Sequence, residues 1–92
     1  MLRKFIIERE LPGIGTQQPE ALCAAAQHSN NVLDSIGTGI QWVHSYVAND
    51  KTYCVYLARD EALIRRHAEE SGFPANKIIE IRSMLDPTMA PA

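Results

Sequence analysis

Cysteine is scarce in this chain, long apolar runs are missing, and neither sign of charge dominates. Two cysteines, Cys23 and Cys54, are too few for the disulfide framework of a small secreted scaffold and read as thiols. No apolar run approaches the roughly 20 residues that cross a bilayer. Met1-Leu2-Arg3-Lys4 passes into strand-like sequence without the apolar stretch and cleavage site of a secretory leader. The expectation is a cytoplasmic protein with no membrane partner. Nine Lys and Arg against eleven Asp and Glu give a net charge of −2. The basic residues are scattered, whereas nucleic-acid binding needs a concentrated basic surface, so no nucleic acid is expected either.

What remains is a globular chain, 46% hydrophobic and 22% charged, of a size for one domain. Leu2–Glu10 reads as a first strand, with Phe5, Ile6 and Ile7 contiguous. Leu11-Pro12-Gly13-Ile14-Gly15 breaks it. Pro19 suits the first position of a helix running to Ile36, where Leu22, Ala25, Ala26, Ser29, Val32, Leu33 and Ile36 form one stripe at helical spacing. Ile40–Val47 and Thr52–Leu57 read as a hairpin around the short polar Ala48-Asn49-Asp50-Lys51. Asp60 caps a second helix to Ser71 with Leu63, Ile64, His67, Ala68 and Ser71 facing inward. Lys77–Leu85 reads as the last strand. Residues 1–86 then make one domain and residues 87–92 a short tail.

The order β-α-β-β-α-β predicts an α+β, ferredoxin-like fold of the dimeric α+β barrel type, with two helices on one face of a four-stranded antiparallel sheet. Both parities of the strands carry apolar groups. A homodimer through the open sheet face is therefore the expected partner.

Two histidines carry the chemistry. His67 shares the inward stripe of the second helix, and His44 alternates with Trp42 and Tyr46 along a strand. Neutral imidazole is a common metal ligand and the usual proton shuttle near neutrality. If His44 faces the helices, it can converge with His67; if it faces the open side, it cannot within one subunit. Glu8 and Cys54 are the further candidate metal ligands. The alternative for Glu8 is a salt bridge with Arg9, Lys4 or Arg82, since a carboxylate between apolar residues is costly to bury unpaired. A two-residue Asn49-Asp50 turn puts Val55 opposite His44 and Cys54 on the other face, whereas a longer loop unites His44 with Cys54. The aromatics Trp42, Tyr46, Tyr53 and Tyr56 suggest either a wall for a small-molecule ligand or cross-strand pairs that stabilise the hairpin.

The strings Glu8-Arg9, Ser29-Asn30-Asn31-Val32-Leu33, Trp42-Val43-His44-Ser45-Tyr46-Val47 and Lys51-Thr52-Tyr53-Cys54-Val55-Tyr56 occur in this order. Ile64-Arg65-Arg66-His67-Ala68, Gly72-Phe73-Pro74-Ala75 and Asp86-Pro87-Thr88 follow them. Together they resemble a family of small bacterial domains of unknown function with a ferredoxin-like fold that includes a nickel-binding protein. The resemblance implies a dimer and a divalent transition metal, nickel first, with zinc or copper as alternatives and some relatives holding none. The rival expectation is a small-molecule-binding or minor enzymatic protein using His44 or His67 as acid or base. Whether the chain is an enzyme stays open.

Overall fold

The computed structural model describes residues 1–91; Ala92, the end of the expected tail, lies outside them. The strands are β1 (Arg3–Glu10), β2 (Ile40–Val47), β3 (Lys51–Ala58) and β4 (Lys77–Ile81), and the helices are α1 (Pro19–Ile36) and α2 (Glu61–Ser71). The strands form one sheet in the order β2-β3-β1-β4, with every neighbouring pair antiparallel. This is the ferredoxin-like α+β arrangement that the element order predicts.

Local chemistry explains the boundaries. The Asp60 carboxylate accepts from the Leu63 amide at 3.1 Å, which occupies one of the unpaired donors at the start of α2. Gly72 closes that helix with φ +81°, a conformation glycine adopts without steric cost. The last strand is shorter than the sequence suggests. Its pairing with β1 stops at Ile81, opposite Lys4. Asp86 instead caps a short 3-10 turn over Pro87–Met89.

Helical periodicity sorts both helices correctly. The seven stripe residues of α1 are its only buried or half-buried positions, and Leu63, Ile64, His67, Ala68 and Ser71 turn inward from α2. The core lies between this helical layer and one face of the sheet. Phe5, Ile7, Cys54, Tyr56 and Ala58 from the strands meet Leu33 and Ile64 there.

The hairpin decides the geometry of everything that follows. Ala48 N–H donates to Lys51 O at 2.8 Å, leaving Asn49-Asp50 as a two-residue turn. His44 therefore lies opposite Val55 and Ser45 opposite Cys54, but Trp42 lies opposite Tyr56. One extra residue, Val43, is accommodated as a β-bulge, so the strict alternation of side chains is broken at that point. Trp42 and His44, two residues apart, consequently point to opposite faces.

The loop after β1 seats on this turn. Gly15 N–H donates to Asn49 O at 2.9 Å, and a Cβ at Gly15 would lie 2.6 Å from Ala48 O and 2.8 Å from Asn49 Cα. Both are backbone atoms and cannot rotate away. Gly15→Ala is expected to cost about 1–3 kcal/mol by overpacking, read as a lowered midpoint in urea unfolding. An unchanged midpoint would show that the loop shifts without cost.

Candidate functional site

The sheet has two chemically distinct faces. On the helix-covered face, β1 presents Phe5, Ile7 and Arg9, opposite Tyr56, Cys54 and Thr52 of β3. On the open face, the row His44, Val55, Ile6, Ile79 lies beside the row Tyr46, Tyr53, Glu8, Lys77. The four candidate metal ligands are thus divided. His44 and Glu8 lie on the open face, and Cys54 and His67 lie between sheet and helices.

Each of the four is placed by its neighbours. His44 is exposed and stands edge-on to Tyr46, with ring centroids 5.0 Å apart. The Glu8 carboxylate faces the Lys51 ammonium at 3.4 Å, a cross-strand pair not among the partners its sequence suggests. Cys54 is buried and reduced, its thiol 3.6 Å from the Thr52 hydroxyl. His67 is fully buried. Among the described residues, no three His, Cys, Asp or Glu side chains converge on a common point.

The aromatic quartet is likewise divided. Trp42 and Tyr56 line a cavity of about 310 Å³ on the helix side, while Tyr46 and Tyr53 belong to the open face. The bulge separates Trp42 from Tyr46, and alternation along β3 separates Tyr53 from Tyr56. The cavity opens between α1, the β2–β3 hairpin and the loop after β1, where α1 presents the small side chains of Ala25, Ala26 and Ser29 beside Leu22. Its volume is at the lower end of ligand pockets, which run from about 300 to 1,000 Å³. Its walls are mostly apolar.

Arg9, Tyr56 and Ser29 line this cavity together, with Ser45 and Thr52 as its other hydroxyl groups. Arg9 is 2% exposed. Its Nη1 donates to the carbonyls of Pro74 at 2.8 Å and Phe73 at 3.3 Å, and its Nη2 to the Tyr56 hydroxyl at 3.4 Å. The ion pairs among the described residues join Arg3 to Glu80, Lys51 to Glu8, Arg65 to Glu61 and Arg66 to Glu70; Arg9 has no carboxylate. Its signal in the sequence is the alternation of Phe5, Ile7 and Arg9, which puts all three on one face.

His67 adjoins this group. Its Nε2 lies 3.1 Å from the Ser29 hydroxyl, its ring 5.5 Å from that of Tyr56, and its Nδ1 has no partner. Burial, reinforced by the nearby Arg9 charge, lowers its pKa to about 4, so the imidazole is neutral at physiological pH. A buried bare nitrogen costs less than a buried unpaired N–H, which assigns the proton to Nε2 and makes Ser29 the acceptor. Ser29 keeps its own hydroxyl proton to donate. Burial also raises the Tyr56 pKa, so this phenol stays protonated. His28 is exposed, and its Nε2 meets Ser71 O at 2.8 Å, tying α1 to the end of α2.

Fold and faces together define a small ferredoxin-like α+β protein with an apolar open sheet face and a separate cleft beneath its helices. The chain belongs to the family described as nickel responsive protein SCO4226-like, whose sequence profile matches residues 5–81. Its fold is similar to that in the crystal structure of SCO4226 from Streptomyces coelicolor A3(2), with a TM-score of 0.74 at 18% identity, covering 89% of this chain and 99% of that one. No curated protein matches it. Among the described residues, no helix is long and apolar enough to cross a membrane.

Proposed function

We propose that the protein binds a divalent transition metal, nickel first, as a cytoplasmic homodimer whose open sheet faces meet, with His44 as the anchoring imidazole. His44 carries this reading. His28 and His67 each commit a ring nitrogen to a hydrogen bond, whereas His44 is exposed on the apolar face of a chain whose family is described as nickel responsive.

The metal's fit to a single subunit is incomplete, and a second copy supplies the remedy. Glu8 shares the open face with His44 but sits two strands away, roughly 10 Å by strand spacing alone. A twofold contact brings a second His44 and a second Glu8 to the same surface. Val43, Tyr46 and Ile79 are exposed large apolar groups on a single chain, with Ile6 and Ile81 half-buried around them; a second sheet would cover such a surface. Imidazole and carboxylate donors suit nickel, zinc or copper. Cys54 and His67, turned toward the helices, have no part in this site. Bound nickel would hold the two copies in register.

Isothermal titration of metal-stripped protein with nickel tests the reading. Saturable binding is expected, weakened about tenfold or more by His44→Ala and retained by His67→Ala. If His44→Ala binds nickel as the parent does, the proposed site is wrong. Sedimentation of the metal-free and nickel-loaded forms reports the dimer independently.

A further inference from the structure

We infer that the helix-side cavity is a binding site for a small amphipathic monocarboxylate, with Arg9 receiving the carboxylate and the apolar cleft enclosing the body of the ligand. This site lies on the opposite sheet face from His44 and does not depend on the metal.

The argument begins with an unbalanced charge. A buried guanidinium loses its hydration, and that loss is costly unless the charge is both hydrogen-bonded and paired. Carbonyl groups of Phe73 and Pro74 satisfy part of its hydrogen-bonding capacity, but among the described residues no carboxylate pairs with it, and no Asp or Glu is among those that line the cavity. An arginine used only to staple the loop after α2 would have no need to form part of a cavity wall.

The neighbouring groups complete a donor array. Tyr56 accepts from Arg9, which leaves its phenolic proton free to donate. Ser29, accepting from His67, is itself hydrogen-bonded through its side chain to Tyr56, which leaves the phenol as the free hydroxyl donor. Both line the cavity beside Arg9. Charge-assisted hydrogen bonds from a guanidinium and a hydroxyl suit a carboxylate. They offer nothing to a cation and less to a neutral alcohol. The other walls include Leu22, Ala25, Ala26 and Trp42, which favours an aliphatic or aromatic body over a sugar or a nucleotide. The volume limits that body to a single ring or a medium-length chain.

Trp42 is the only tryptophan of the chain and forms part of the wall, so its fluorescence reports occupancy. Metal-free protein is titrated with sodium octanoate, and in parallel with 1-octanol and octylammonium chloride. Octanoate is expected to saturate, with octanol at least about tenfold weaker and octylammonium weaker still. Arg9→Gln should bring octanoate down to the level of octanol. Ala26→Phe, which fills the cleft, should abolish the response to both while the circular dichroism stays that of the parent. Equal binding of octanoate and octanol by the parent overturns the carboxylate assignment, as does undiminished octanoate affinity in a folded Arg9→Gln. If Arg9→Gln does not fold, the comparison of the three ligands on the parent decides. No response to any of them, in fluorescence or in melting temperature, overturns the site itself.

Discussion

Acidification from neutrality to about pH 4 is expected to remove about 3 kcal/mol of folding stability through His67 alone. The imidazole is fully buried, and its pKa falls from 6.5 to about 4 on folding. Between those values the unfolded chain binds a proton that the folded chain does not. Stability from this group is therefore complete above about pH 6.5 and declines as the pH falls toward 4. Below that value both states are protonated and the loss stops. A shift of this size, at 1.36 kcal/mol per pH unit, sets the magnitude. Urea unfolding of the parent and of His67→Leu across this range isolates the effect, because the other titrating groups are common to both chains. The two stability curves should converge on acidification by about 3 kcal/mol. Parallel curves would mean that the folded imidazole is hydrated and titrates normally.

Phe5→Ala is expected to cost about 3–5 kcal/mol, a large part of the 5–15 kcal/mol that holds a typical domain together. Phe5 is 1% exposed on the central strand β1, opposite Tyr56, and it packs in the single core with Leu33 and Ile64. Removing the ring leaves a void that α1 and α2 cannot both close, since each is already seated on other strand residues. Chemical denaturation measures the loss, and a cost below about 1 kcal/mol would show that the helices collapse onto the gap. Ile79→Ala on the open face provides the contrast. Ile79 is 42% exposed on a single chain, so in an isolated subunit the truncation costs little. A penalty at Ile79 that changes with protein concentration would be the signature of a second copy covering that face.

The two faces keep the two proposed chemistries apart. His44 and Glu8 lie among apolar residues that a partner would bury, and Arg9, Tyr56 and Ser29 line a cleft that a single chain builds by itself. The sheet between them is one backbone thick. The metal and carboxylate readings therefore stand or fall separately.

Periodicity determined the element order and the buried stripes of α1 and α2, because a helix repeats every 3.6 residues whatever it packs against, and Pro19 and Asp60 marked where the helices start. The length of the hairpin turn and the core face of β1 were alternatives that the sequence left open. The alternation that continues to Arg9 was legible, but its meaning was not. A charged residue on a core face can be read as the edge of the core, and only the absence of a carboxylate around it identifies an unbalanced charge. Tertiary structure decided the rest. Strand β4 ends at Ile81, where its pairing with β1 stops, and the β4 sequence does not record that limit. The bulge at Val43 sends Trp42 and His44 to opposite faces, and a bulge is a relation between two strands rather than a property of one. The separation of Trp42 from Tyr46 follows from that single extra residue, whereas the two-residue turn puts His44 on the open face and simple alternation along β3 separates Tyr53 from Tyr56.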